Sequence, residues 1–168
     1  MKSLKPSDYE TDRDKYWLRR YENTCTWVLD DKRYKTWAER DGQAILWIYG
    51  DPGCGKSVLS SFLTKEIMRG KTTQQCLAYF FCDDKDDRLK TGHAILVNLL
   101  SQLLNQVPDA IKYFMTEHEY ITQKEKTSWS FGMLWRVFKR IIHDAHRGLV
   151  YILIDALGIP PCRIYNCC

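Results

Sequence analysis

The chain has 168 residues, of which 45% are hydrophobic and 27% charged, with 9 Gly and 5 Pro. This composition supports one ordinary core and excludes the disordered, collagen-like and low-complexity classes. The 25 Lys and Arg residues and the 21 Asp and Glu residues give a net charge of +4. Because positive and negative side chains are interspersed along the chain, no nucleic-acid partner is indicated. No apolar run suits a membrane span, and the lysines at the start precede no apolar secretion signal. With the 7 Cys interpreted as reduced thiols, the chain is predicted to be cytoplasmic.

Apolar periodicity divides the chain into alternating helices and strands. Residues 1–23 are charged and aromatic without a clean period, and Thr24 is predicted to cap a short helix that reaches Trp37. A continuous apolar run at 44–49 predicts a strand buried on both faces. Helical spacing follows at 58–67, 95–104, 111–114 and 131–142, while 76–81 and 149–154 are predicted as two further buried strands. Strands separated by helices favour an α/β fold with a parallel sheet.

The loop that follows the first predicted strand carries the clearest motif. Residues 50–57 fit the phosphate-loop pattern G-x-x-x-x-G-K-S without a mismatch. Glycines let backbone N–H groups wrap a polyphosphate, and the loop opens into a helix N-terminus, which attracts anions. Lys56 supplies a cation for the β- and γ-phosphates, and Ser57 supplies a hydroxyl for Mg²⁺. The candidate nucleotide-binding residues are Gly50, Asp51, Pro52, Gly53, Cys54, Gly55, Lys56, Ser57 and Val58.

The last predicted strand carries a second candidate residue. Its apolar run ends on Asp155, as in a Walker B strand, and ligands of open α/β sheets collect at the carboxyl ends of strands. A strand-ending Asp is also a common helix cap, so the assignment depends on the pairing with the phosphate loop. Ser57 and Asp155 are therefore the predicted Mg²⁺ residues.

At these residues the sequence resembles the fungal NACHT-type P-loop NTPase domain, or nephrocystin-like N-terminal domain, of NLR-like STAND proteins. The matching stretches are 24–29 with Tyr34 and Trp37, then 46–57, 79–82, 95–100 with 102–104, and 152–157. The resemblance implies an incomplete P-loop three-layer sandwich over 24–157, with an N-terminal flank at 1–23 and a divergent tail at 158–168. It also implies a signalling switch that binds ATP, with GTP as the alternative, together with Mg²⁺.

The sequence departs from this family after Leu157. Gly158, Ile159 and Pro160 stand where the family typically has two acidic residues and a Cys, and the resemblance assigns those acids to polarising the attacking water. Hydrolysis is therefore expected to be weak or absent. The family also places a strand between the phosphate-loop and Walker B strands, which this sequence lacks, so two open sheet edges are expected to accept a full-length relative. The divergence itself is interpreted as a gene-model or splicing artefact.

Two other functions stay open at this stage. A small P-loop kinase would use an acid within 83–87 to bind its acceptor, although the sequence shows no Arg-rich lid. A non-binding fragment would act only through protein–protein contact at its sheet edge.

Two single residues also have alternative interpretations. Cys54 raises the hypothesis of a redox-sensitive loop, against the simpler interpretation of a small residue that the loop tolerates. Core packing is the favoured interpretation of Trp47, with stacking on a base as the alternative.

Overall fold

The computed structural model describes residues 6–39, 44–83, 86, 89–123, 129–145 and 148–155. The helices are α1 (Tyr9–Trp17), α2 (Trp27–Asp30), α3 (Lys32–Ala38), α4 (Lys56–Gly70), α5 (Gly92–Gln106), α6 (Ile111–Gln123) and α7 (Phe131–Arg140). The strands are β1 (Cys76–Phe81) and β2 (Val150–Asp155). A 3₁₀ turn, Pro108–Ala110, precedes α6, and a π-helical turn, Ile141–Ala145, follows α7. The predicted tail at 158–168 lies outside these residues.

The two strands form a parallel pair, in register from Cys76 opposite Val150 to Phe81 opposite Asp155. Parallel strands need a long crossover, and helices α5 to α7 provide it. Because strand side chains alternate between two faces, the pair presents two apolar surfaces, and helices cover both. The predicted α/β class and parallel sheet are therefore confirmed.

The larger core lies between the strand pair and helices α5 to α7. Leu100 and Leu103 of α5 and Leu134 of α7 are fully enclosed there. The predicted stripe of α5 is apolar at positions three and four residues apart, which places one continuous face against β1. The helix begins where the Thr91 hydroxyl accepts from the Ala94 N–H at 3.1 Å, a regular side-chain cap.

The other face of β1 is covered by α1 and α4. Arg13 of α1 is buried, and its Nη1 donates to the Tyr79 hydroxyl at 3.0 Å. The Arg13 carbonyl accepts from the Ser61 hydroxyl of α4 at 2.9 Å. Burial raises the pKa of Tyr79 to about 12, against the opposing effect of the Arg13 guanidinium. Helix α1 is therefore packed into the fold, although it precedes the residues that carry the family resemblance.

The strand predicted at 44–49 is wrong, since the structure assigns no strand there. Ile45 is 91% exposed, Trp47 56% and Tyr49 74%, so neither burial on both faces nor core packing of Trp47 is observed. A strand needs a neighbour for its N–H and C=O groups, and the described sheet contains β1 and β2 alone. The incomplete P-loop three-layer sandwich therefore stays a prediction.

The cap predicted at Thr24 is also wrong. The Thr24 hydroxyl donates to the Tyr21 carbonyl at 2.6 Å, and the single helix predicted there is divided into α2 and α3. The break lies at Asp31, whose backbone is extended and whose carboxylate accepts from the Arg33 N–H at 2.8 Å. The side-chain hydrogen bond from Arg33 is the main cause that lowers the pKa of Asp31 to about 2. Asp31 is thus the cap that begins α3.

Two glutamine side chains of α5 close the outer edge of β1. Gln102 Oε1 accepts from the Tyr79 N–H at 3.1 Å, and its Nε2 donates to the Tyr79 carbonyl at 2.8 Å. Gln106 makes the same pair of bonds with Leu77, at 3.1 and 2.8 Å. These amides take the place of a neighbouring strand. Within the described sheet, β2 has no strand on its outer side, so the open edge belongs to β2.

We expect Gln102→Leu to destabilise the domain by about 2–4 kcal/mol, because the buried N–H and C=O of Tyr79 lose their partners. Urea denaturation would show a lower midpoint at an unchanged slope. Gln75→Leu is the matched control, since Gln75 Oε1 accepts from the exposed Thr72 N–H at 2.9 Å, and a change of about 0.5 kcal/mol or less is expected. Equal losses in the two variants would contradict the edge-closing role.

Candidate functional site

The glycines of residues 50–55 meet the conformational demands of a tight loop. Gly53 and Gly55 have φ angles of +81° and +88°, the left-handed region in which a Cβ is strained. Gly50 lies against Cys54, where a Cβ would come within 3.0 Å of the sulfur. The loop leads directly into α4 at Lys56. At Gly53 and Gly55 the backbone therefore adopts conformations that favour glycine, and the loop's role in phosphate binding stays a prediction.

Lys56 lies across the loop. Its Nζ donates to the carbonyl oxygens of Gly50 at 2.8 Å and Asp51 at 2.9 Å, and lies 3.9 Å from the Cys54 sulfur. Residues 50–55 are all exposed, Pro52 included, while Ser57 and Val58 are half-buried. The loop is therefore open to solvent and carries its cation at its centre.

Asp155 ends β2 in a buried position, 4% exposed. Its Oδ1 accepts from the Ser60 hydroxyl at 2.9 Å. Its Oδ2 is buried and has no hydrogen-bond partner among the described residues. A carboxylate oxygen in this position is costly to bury, so a cation or a polarised water molecule fits there. Burial, with a smaller contribution from the charge of Asp155, also raises the pKa of the neighbouring Cys82 to about 11.

Helix α4 connects the loop to Asp155. Ser57 is in its first turn, and Ser60 lies three residues later, on the same helix face. The helix packs against β2, where Leu153 lies against the buried cluster that contains Leu59, Phe62 and Leu63 of α4. The two predicted Mg²⁺ residues, Ser57 and Asp155, therefore lie at the same end of α4.

The donor set fits Mg²⁺, a hard cation that takes oxygen ligands and keeps several waters. Ser57 offers a hydroxyl, and Asp155 offers a buried carboxylate oxygen that has no hydrogen-bond partner within the described part of the chain. The described part of the chain contains no group of three or more His, Cys, Asp and Glu side chains that could hold a metal. A site completed by phosphate oxygens and water does not need such a group.

Ser60 was missed by the sequence prediction, which stops at the end of the phosphate-loop motif. A serine within a helix carries no signal of its own, and its partner lies 95 residues away. The one available clue is its spacing from Ser57, because residues three apart share a helix face. The ring of Trp37 lies 5.8 Å between centroids from the rings of both Tyr34 and Tyr151, the contacts of a packed side chain.

Comparison with known proteins decides the family. The model of the nephrocystin 3 N-terminal family matches residues 23–158. The chain belongs to this family. Among curated proteins, it is similar to the vegetative incompatibility protein HET-E-1 of Podospora anserina, with 31% identity over 132 residues, which are 78% of this chain and 10% of that protein. The chain thus spans about a tenth of that relative's length. No solved structure is matched.

The nephrocystin 3 N-terminal match includes the glycine loop, α4 and Asp155. It begins after α1, which nevertheless packs on α4 and β1. The resemblance to fungal NACHT-type domains, predicted from the sequence motifs, is confirmed by these comparisons. None of the helices that the structure describes has the length and apolar character needed to cross a membrane.

Proposed function

We propose that this domain binds a nucleoside triphosphate with Mg²⁺, ATP first and GTP as the alternative, within a NACHT-type signalling switch. One observation carries the proposal: an exposed loop with two left-handed glycines leads into α4, and the Lys56 ammonium lies on that loop. Free N–H groups at a helix N-terminus and an adjacent ammonium attract a polyphosphate. The orphaned Oδ2 of Asp155 supports a cation beside them.

Binding would exchange the contacts of Lys56. Its ammonium now donates to two neutral carbonyls, those of Gly50 and Asp51, and a phosphate oxygen is a stronger, charged acceptor. The loop amides would surround the phosphates, while Ser57 and Asp155 would hold the metal. A bound Mg²⁺ would supply neutralisation of the phosphate charge. The exchange of the Lys56 contacts would favour phosphate binding. It would also couple the conformation of the loop to the presence of bound nucleotide.

We propose binding without efficient hydrolysis. Gly158, Ile159 and Pro160 offer no carboxylate to polarise a water molecule, and these positions lie outside the described residues. Among the described residues, Cys25, Cys54 and Cys82 form no disulfide, and reduced thiols suit the cytoplasm. Without efficient hydrolysis, the domain would act through the presence or absence of bound nucleotide.

A second candidate function rests on the outer edge of β2. No strand of the described sheet pairs there, and Ile152 in this strand is 39% exposed. An open edge accepts a strand from another chain, and we propose a full-length NACHT relative as the alternative partner. Protein that ignores nucleotide but associates with such a relative would favour this function over the first.

Alkylation of Cys54 tests occupancy of the loop directly. We expect Mg·ATP, at about 100 times its Kd, to slow the reaction of Cys54 with iodoacetamide about tenfold or more, because a bound triphosphate covers the exposed thiol. Peptide mass spectrometry would follow each cysteine separately. Cys25 is the control, since it packs against the buried cluster of Val28, Leu59, Phe62 and Leu63 rather than in the loop, and it should react equally with and without nucleotide. Unchanged labelling of Cys54 would contradict the proposed function.

A further inference from the structure

We propose that Ser60 is a positioning residue for the Mg²⁺ that accompanies the nucleotide, a role that rests on the proposed function. Ser60 lies beyond the phosphate-loop motif, which ends at Ser57. Its hydroxyl donates to Asp155 Oδ1 at 2.9 Å. Ser60 thus acts through the carboxylate of Asp155 and not on the metal itself.

Because Asp155 is buried, the hydrogen bond from Ser60 determines which oxygen of its carboxylate is left for a cation. The residue is 4% exposed, and the only hydrogen bond to its carboxylate among the described residues comes from Ser60. With Oδ1 occupied, Oδ2 is the oxygen left for a cation or for a water in the cation's shell. Partners that orient a metal-binding group in this way fix its direction and tune its affinity.

The position of Ser60 on α4 supports the same role. Ser57 and Ser60 are three residues apart, which brings their Cβ atoms to about 5–6 Å on one helix face. The Thr64 hydroxyl donates to the Ser60 carbonyl at 2.8 Å, one turn further along the same helix. One rigid helix therefore presents the predicted metal ligand and the hydroxyl that orients Asp155.

The test is the affinity of the full chain for ATP, measured by calorimetry over a series of Mg²⁺ concentrations and in EDTA. We expect Ser60→Ala to weaken the apparent Mg²⁺ affinity of the ATP complex about tenfold, with ATP affinity in EDTA unchanged. Ser60→Thr keeps the hydroxyl and should retain the wild-type Mg²⁺ dependence. Should Ser60→Ala not fold, Ser60→Cys preserves the volume with a much weaker donor and carries the same expectation.

Ser61→Ala is the matched control. Its hydroxyl donates to the Arg13 carbonyl at 2.9 Å, so the variant loses one hydrogen bond of α4 away from Asp155, and its Mg²⁺ dependence should equal the wild type. If wild type binds Mg·ATP and Ser60→Ala shows the same Mg²⁺ dependence, the role of Ser60 is refuted while the proposed function stands. If wild type binds no nucleotide, both are refuted.

Discussion

Lys56→Ala is expected to abolish stabilisation of the domain by nucleotide. A ligand at about 100 times its Kd stabilises the folded state by about 2.7 kcal/mol, which is about 5–10 °C in Tm for a domain of this size. The variant removes the ammonium that lies on the Gly50 and Asp51 carbonyls, and with it the principal positive charge for the triphosphate. Thermal denaturation with and without Mg·ATP measures the difference.

Each variant is compared with its own nucleotide-free form, because Lys56 also makes contacts within the empty loop. Lys71→Ala removes the same charge just beyond the other end of α4, where Nζ lies 3.4 Å from the Gln75 carbonyl. This control should keep the full nucleotide shift. A shift of wild-type size in Lys56→Ala would contradict the assignment of Lys56 to the phosphates.

Asp155→Asn is expected to weaken the Mg²⁺ dependence of ATP binding without destabilising the nucleotide-free domain. The substitution replaces a buried carboxylate, which accepts one hydrogen bond from the residues that the structure describes, with a neutral amide that can still accept from Ser60. Burying a neutral group costs less than burying a charge, so the Tm without ligand should equal or exceed that of wild type. The gain in ATP affinity on adding Mg²⁺ should fall about tenfold or more.

Asp14→Asn provides the contrast for this prediction. Asp14 is partly exposed and pairs with Arg13 at 2.9 Å and Lys65 at 3.3 Å, and the Arg13 hydrogen bond lowers its pKa. Its loss should reduce stability at neutral pH and leave Mg²⁺ dependence intact. A domain in which Asp155→Asn lowers the Tm and preserves the Mg²⁺ effect would show that Asp155 serves the fold alone.

The helices and strands that the sequence predicts well are those whose pattern is set by burial of one face or both. The strand predicted at 76–81 is β1, and the strand predicted at 149–154 is shifted by one residue in β2. The α5 stripe was predicted for the same reason, because its leucines recur at helical spacing. Local sequence is therefore enough to predict a helix or strand when the pattern of its own side chains determines which face is buried.

The elements that could not be predicted depend on distant or non-periodic contacts. The segment 44–49 is as apolar as β1, yet strand formation requires a neighbouring backbone that composition does not reveal. Gln102 was visible in the sequence as an ordinary polar position of α5, and its bonds to Tyr79 emerge only when helix and strand meet. Asp31 breaks a helix through its own side chain, a local signal that the prediction overlooked.

The candidate site likewise contains some residues that the sequence predicts and others that only the structure reveals. The loop and Lys56 could be predicted because a fixed spacing in sequence expresses a fixed backbone geometry. Asp155 could be predicted as a strand-ending acid, but its orphaned Oδ2 is a property of three-dimensional burial. Ser60 needed the contact between α4 and β2, which no spacing along the chain encodes.

The central claim is that the loop at the head of α4 binds a nucleoside triphosphate. Calorimetric titration of Mg·ATP into the purified, monodisperse domain tests it most directly. We expect saturable binding at a single site, competed by a second triphosphate if GTP is also accepted. No saturable binding of ATP, GTP or any other nucleoside triphosphate at millimolar concentration would contradict it.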